Sequence, residues 1–144
     1  MTTYSFKEIW YRIYTKMLEI KDVRVWAVYN HDIKIENGIS LPAIIITPNN
    51  GSIWFLDSCL NEHNLNYTVR IIDRIQNGYE NVEDNMRELA DIVLSKLEEL
   101  WTITWDSNDG YTVNLQMDYV WWFADTQEPI RVFEIECKFK SIQS

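Results

Sequence analysis

The sequence predicts an α+β sandwich, two helices on one mainly antiparallel sheet. Three observations lead there. Residues Tyr67–Gln76 alternate, with Tyr67, Val69, Ile71 and Ile75 on one face and Thr68, Arg70, Arg74 and Gln76 on the other. Only Asp73 and Ile72 break the period of two that marks a strand with one buried face. Next comes an apolar stripe at steps of three and four: Val82, Met86, Leu89, Ala90, Val93, Leu97, Leu100 and Trp101. Two further alternating runs, Tyr111–Phe123 and Arg131–Lys140, follow across a turn.

From the N-terminus, Ser5 is placed to cap a helix running to about Ile20, with Glu8 completing a capping box. Ile9, Ile13, Met17 and Ile20 give its core face, widened by Phe6, Trp10 and Tyr14. Val23–Tyr29, rich in β-branched and aromatic residues, reads as a strand. Asn30 to Ser40 is a polar connection with Asn37-Gly38 as its turn. Leu41–Thr47 is the next strand; it is apolar on both faces, which suggests a central place in the sheet. Pro42 and Pro48 bracket it, because neither can donate to a ladder. Asn49-Asn50-Gly51 is read as a turn, Ser52–Leu56 as a short returning strand and Asp57–Leu65 as a polar loop.

Asn77-Gly78 ends the strand before the main helix, both residues tolerating a left-handed backbone. Asn81 is the expected N-cap, with Glu83 and Asp84 in the first turn where the helix dipole favours negative charge. A Glu83–Arg87 pair is worth only ~0.3–0.5 kcal/mol. Burying each large stripe residue contributes roughly 1.5–3 kcal/mol, so the helix needs a sheet to lie on. Ile92 and Leu94 fall beside the stripe; they either widen the core face or meet a second subunit. In the final hairpin the apolar sets share a face only if odd residues stand opposite odd ones. Pairing Trp121 with Phe133 satisfies this and leaves Ile130 in the loop or a bulge.

Composition bounds function. A chain of 144 residues is one domain, residues 1–144, with 47% hydrophobic residues, enough for a core. Seven tryptophans point to large packed or associating surfaces. No apolar run is long enough for a membrane helix, and MTTYSFKEIWYR has no signal-peptide layout. A net charge of −9 disfavours general nucleic-acid binding, which needs a basic phosphate-neutralising face.

Catalytic and cofactor chemistry finds little footing. Cys59, His63, Asp57 and Glu62 lie close in sequence, but a structural zinc site takes four well-spaced Cys or His ligands. A Cys–His nucleophile there lacks an orienting third group. Asp106–Gly110 departs from calcium-loop spacing and reads as a turn. Four glycines form no phosphate-cradling loop. No catalytic residue, metal ligand or cofactor is expected. Arg70 and Arg74 share one strand face, where they are either solvated or partners in a cross-subunit salt bridge. Asp118, Glu134 and Glu136 cluster on the polar face of the last hairpin. There they are either simply solvated or line a passage whose negative walls keep DNA from sticking.

The order of these segments resembles a known family. A helix and strand lead to LPAIIITP, then NYTVRIIDRIQ, a polar turn, the acidic-entry helix NVEDNMRELADIVLSKLEEL, and a hairpin closing on VFEIECKF. This layout is similar to the tail terminator, or tail completion, proteins of long-tailed bacteriophages. The resemblance implies a structural virion protein at the tail–neck junction, assembled in the host cytoplasm, rather than an enzyme. It implies a homo-oligomer, a hexameric ring on the last ring of the tail tube protein. That ring would stop tube growth, meet a neck or head-completion protein, and let DNA through its lumen without specific binding. Carried over, Arg70, Arg74, Ile92, Leu94 and Trp122 become candidate subunit contacts, and Asp118, Glu134 and Glu136 candidate lumen residues. The loops Asn30–Ser40 and Asn49–Leu65 become docking elements. Two other readings are a different head-completion or neck connector protein and a small acidic inhibitor that mimics DNA.

Overall fold

The computed structural model describes residues 6–31, 41–56, 61–75, 79–102, 112–124 and 129–143. The elements run α1 (Phe6–Leu18), β1 (Ala27–Tyr29), β2 (Ala43–Phe55), β3 (Asn61–Arg74), α2 (Tyr79–Thr102), β4 (Thr112–Ala124) and β5 (Ile130–Gln143). One five-stranded sheet has the order β1-β2-β3-β5-β4. Every pairing is antiparallel except the short parallel β1–β2 contact at Ala43–Ile45. Both helices lie on one side, so the chain is α+β as its periodicities indicate.

The core sits between helices and sheet. Ile9, Ile13 and Met17 of α1 and Met86, Val93, Leu97 and Leu100 of α2 are buried against Ile44, Ile46, Val69, Ile71, Phe133, Ile135, Cys137 and Phe139. The alternation of β3 is therefore real: its odd residues face the helices, and Tyr67 also donates its hydroxyl to the Phe6 carbonyl at 2.6 Å. Burial of that ring pushes the phenol pKa up. Ion pairs clip the helices together at their solvent rims, Lys16–Glu99 at 2.6 Å and Lys96–Glu19 at 3.2 Å. Exposed pairs of this kind contribute only about 0.2–1 kcal/mol each, so apolar burial is what holds the layers.

Trp121 stands opposite Phe133, the register that hydrophobic matching requires. Ile130, however, is not looped out; it is buried and paired with Ala124 at the start of β5. Ile92 and Leu94 pack partly buried against the core and widen its face. Asn81 lies two residues inside α2, which begins at Tyr79.

The largest departure is in β2 and β3. Asn49-Asn50-Gly51 does not turn the chain; β2 runs on to Phe55 with a bulge between Asn49 and Ser52. Pro48 is accordingly inside the strand, opposite Tyr67 and beyond the three residues that β1 covers. An edge is where a missing N–H is tolerated. At the bulge a Cβ on Gly51 would collide with the Asn64 carbonyl oxygen, so the close approach of the two backbones needs glycine. Asn66 seals the bulge by donating its side-chain amide to the Asn50 carbonyl. Residues Asn61–Leu65 are strand rather than loop, paired on one side with β2 and on the other with β5. The Val23–Tyr29 strand shortens to Ala27–Tyr29. Asp22, at φ 64°, wraps the chain around the end of α1, where the Ile20 carbonyl accepts the Arg24 N–H at 2.9 Å.

Candidate functional site

Residues of even number on β3, β4 and β5 form the sheet face turned away from the helices. Register brings Arg70 beside Glu134, Thr68 beside Glu136, and Glu136 beside Asp118. The three carboxylates are thus neighbours, as the alternation implies. Their electrostatics differ from a negative wall. Arg70 Nε donates to Glu134 Oε1 at 2.5 Å, Lys138 reaches Asp118 at 2.7 Å, and Lys140 reaches Glu62 at 3.0 Å. The Lys138 ammonium holds the Asp118 carboxyl below its ordinary pKa, with help from Gln116. Lys140 and Asn64 do the same for Glu62. Glu136 accepts from the Asn49 amide at 3.4 Å. Arg70 and Lys138 thus offset two of the three carboxylates, while Glu136 stands beside Asp118 with like charge, and Arg70 has an ionic partner within its own chain. A cross-subunit bridge is not needed to account for it.

Toward one end of this face the polar lattice gives way to apolar residues. Ile45, Ile72, Ile130 and Val132 are buried there, with Tyr29, Leu41 and Ala124 packed beside them. Arg74 shares this end, opposite Ile130, and its backbone N–H bonds the Asp73 carboxylate at 2.9 Å. Asp73 is held above its usual pKa by burial, an effect that hydrogen bond opposes.

The five residues expected at subunit contacts are divided by the sheet. Arg70, Arg74 and Trp122 are on the open side, Ile92 and Leu94 on the helix side. Leu94 lines a groove of about 160 Å³ with Tyr119, Trp121 and Phe133. Trp122 is exposed as expected, but so are Tyr119, Val120 and Phe123 around it. A second exposed group, Ile53, Trp54, Phe55 and Leu56, ends β2, with Phe55 79% exposed. Tyr119 and Phe123 belong to the odd, core-facing set of β4. Alternation assigns them to a buried face, yet β4 is the outermost strand, and Tyr119 and Phe123 stay exposed there. The available signal was the break in alternation at Val120-Trp121-Trp122, and the unalternating run Ile53–Leu56.

Cys137 is fully buried in the core and its thiol is pushed up to about 12 by desolvation, so it is no nucleophile. Asp57 and Cys59 lie outside the described residues, as do most of the connection Asn30–Ser40 and the turn Asp106–Gly110. His63 and Glu62 are adjacent on β3 and point to opposite faces. Among the described residues no three His, Cys, Asp or Glu side chains gather as metal ligands. No described helix is long and apolar enough to cross a membrane. Comparison of the sequence with protein families and with curated proteins finds no match.

Proposed function

We propose that this chain is a structural subunit of the phage tail-completion type, which works by binding copies of itself and neighbouring virion proteins rather than by catalysis. The observation that carries the reading is the placement of its exposed aromatic residues. Trp26, Trp54 and Trp122 are exposed, and two of them sit in apolar runs, Ile53–Leu56 at the end of β2 beyond the residues that β1 covers and Tyr119–Phe123 on the edge strand β4. Contiguous apolar surface of this kind costs solubility unless a partner covers it, and large aromatic side chains are the residues that anchor interfaces. The α+β build, with two helices on one side of a mainly antiparallel sheet, agrees with what the family resemblance implies.

In this reading about six copies make a ring at the tail–neck junction, between the tail tube protein and a neck or head-completion protein. The interface assignments shift toward Trp122, Leu94 and the aromatic residues around them, and away from Arg70. A DNA-repelling role for Asp118, Glu134 and Glu136 is not retained, because Arg70 and Lys138 neutralise two of the three.

The test is tube growth. Purified chain is added to the polymerising tail tube protein of the same virus, and tube lengths are measured by electron microscopy. Tubes that stop short and carry a terminal ring support the reading; lengths unchanged at saturating chain sink it. A free chain that also sediments as a monomer and competes with DNA for a DNA-binding enzyme would favour the acidic-mimic alternative.

A further inference from the structure

From Leu65 onward, Asp73 is the one charged residue among the odd-numbered, helix-facing positions of β3. It borders a cavity of about 240 Å³ between the end of the sheet and α2, lined also by Trp26, Pro42, Met86 and Leu89. Met86 and Leu89 are buried, whereas the Trp26 side chain is 50% exposed. At about 30 Å³ per water the cavity has room for about eight. That is below the roughly 300–1,000 Å³ of sites for free small molecules, and it suits one long side chain.

The charges of the lining do not cancel. Arg24 and Glu88 pair with each other at 2.9 Å. Asp73 is left over: among the described residues no cation stands at ion-pair distance from it, and its hydrogen bond comes from the Arg74 backbone N–H at 2.9 Å. Arg131, directly opposite on β5, lies 2.7 Å from Glu83 instead and over the Trp121 ring at 5.2 Å. Arg74, next along the strand, points to the other face. Burial raises the Asp73 pKa by more than that hydrogen bond and the Arg74 charge lower it.

We propose that this cavity receives an arginine side chain of a partner polypeptide, its guanidinium held by the Asp73 carboxylate and stacked on the Trp26 indole. The guanidinium suits both groups. Its N–H fork matches a carboxylate, and its plane stacks on an indole as a compact ammonium does not. The aliphatic stem lies along Pro42, Met86 and Leu89. Charge complementarity selects a cation over an anion or a neutral group, because the lining carries two carboxylates and one cation. A perturbed carboxylate in a cleft is where a functional site is expected. This receptor rests on neither the aromatic edges nor the virion reading, and a capped amino acid tests it without either.

The probe is Nα-acetyl-L-arginine amide, titrated at fixed ionic strength into the ¹⁵N-labelled full chain and read at the Trp26 indole N–H by NMR. One charge-assisted pair and one stacked ring set a Kd on the order of 1 mM. The neutral isostere, Nα-acetyl-L-citrulline amide, should bind about tenfold or more weakly. Asp73→Asn should weaken the arginine probe about tenfold or more, while melting no lower than wild type at neutral pH. It removes one of 22 acidic residues, so mere attraction to an acidic chain would survive it. Trp26→Ala, read at the Asn85 side-chain amide in the same cavity, should weaken binding about threefold or more. A shift that never saturates, citrulline binding as tightly as arginine, or undiminished binding by Asp73→Asn would each overturn the receptor. Capped lysine binding as tightly as capped arginine would overturn the guanidinium assignment. Free arginine binding more tightly than the capped form would overturn a ligand borne on a polypeptide. A receptor confirmed alongside tubes of unaltered length would stand and remove only the tail-completion reading.

Discussion

Replacing Phe133 with alanine tests how the exposed edge strand is fixed to the core. Phe133 is 1% exposed and lies on β5 between Ile71 and Trp121. Its ring centroid is 4.4 Å from that of Trp121 and 5.6 Å from that of Tyr119. Truncating a buried phenylalanine costs roughly 3–5 kcal/mol in lost transfer energy and residual cavity. Strands on both sides restrain collapse around the hole, and the ring contact with Trp121 adds about 0.5–1.5 kcal/mol. A loss near 4 kcal/mol is a large part of the roughly 5–15 kcal/mol that stabilises a domain. In urea, with a slope of about 2 kcal/mol/M, the midpoint should fall by about 2 M. Val120→Ala, at an exposed position on the neighbouring strand, should stay within about 0.5 kcal/mol of wild type. A Phe133→Ala loss below about 1 kcal/mol, or an equal loss from Val120→Ala, would mean that β4 does not pack on β5 as described.

The bulge and the charged groups can be tested in the same way. Gly51→Ala would force its new methyl against the Asn64 carbonyl, so a loss of roughly 1–3 kcal/mol is expected; an unchanged melting temperature would argue against the bulge. A double-mutant cycle with Arg70→Met and Glu134→Gln should give a coupling of about 1 kcal/mol or less in the monomeric chain, as befits a part-exposed pair. Coupling that emerges only on oligomerisation would move the bridge between subunits. Asp73→Asn should stabilise the protein at neutral pH. Burial raises the folded-state pKa above the ordinary 3.8, so the folded protein binds the proton more tightly and the charged form costs stability above that folded pKa. The advantage of the substitution should shrink as pH falls toward 3.8, and a variant less stable than wild type at neutral pH would contradict this.

Where residues obey one dominant period, sequence and structure agree. The helix stripe from Met86 to Leu100, the alternation of β3 and the Trp121–Phe133 register all follow from matching one buried face to another. Disagreement arises where pairing partners, not side-chain pattern, decide. Asn61–Leu65 carries the polar run Asn-Glu-His-Asn, yet it is strand because β2 and β5 supply hydrogen bonds on both sides. Asn-Asn-Gly has the composition of a turn, and its glycine is used instead for a bulge against the Asn64 carbonyl. The candidate surface was half legible. Trp122 stood out because two adjacent tryptophans cannot both face a core. Tyr119 and Phe123 did not, because alternation reports which face a residue is on and not how fully that face is covered. The acidic cluster was legible as a juxtaposition, but its compensation by Arg70 and Lys138 depended on strand order.

If the apolar edges are contact surfaces, electron cryo-microscopy of assembled tails carrying the chain should show it directly. The expected image is a terminal ring in which Trp54 and the Tyr119–Phe123 stretch are covered by neighbouring subunits or adjoining virion proteins. A ring that leaves those side chains open to solvent in every copy, or tails from which the chain is absent, would contradict that view of the edges.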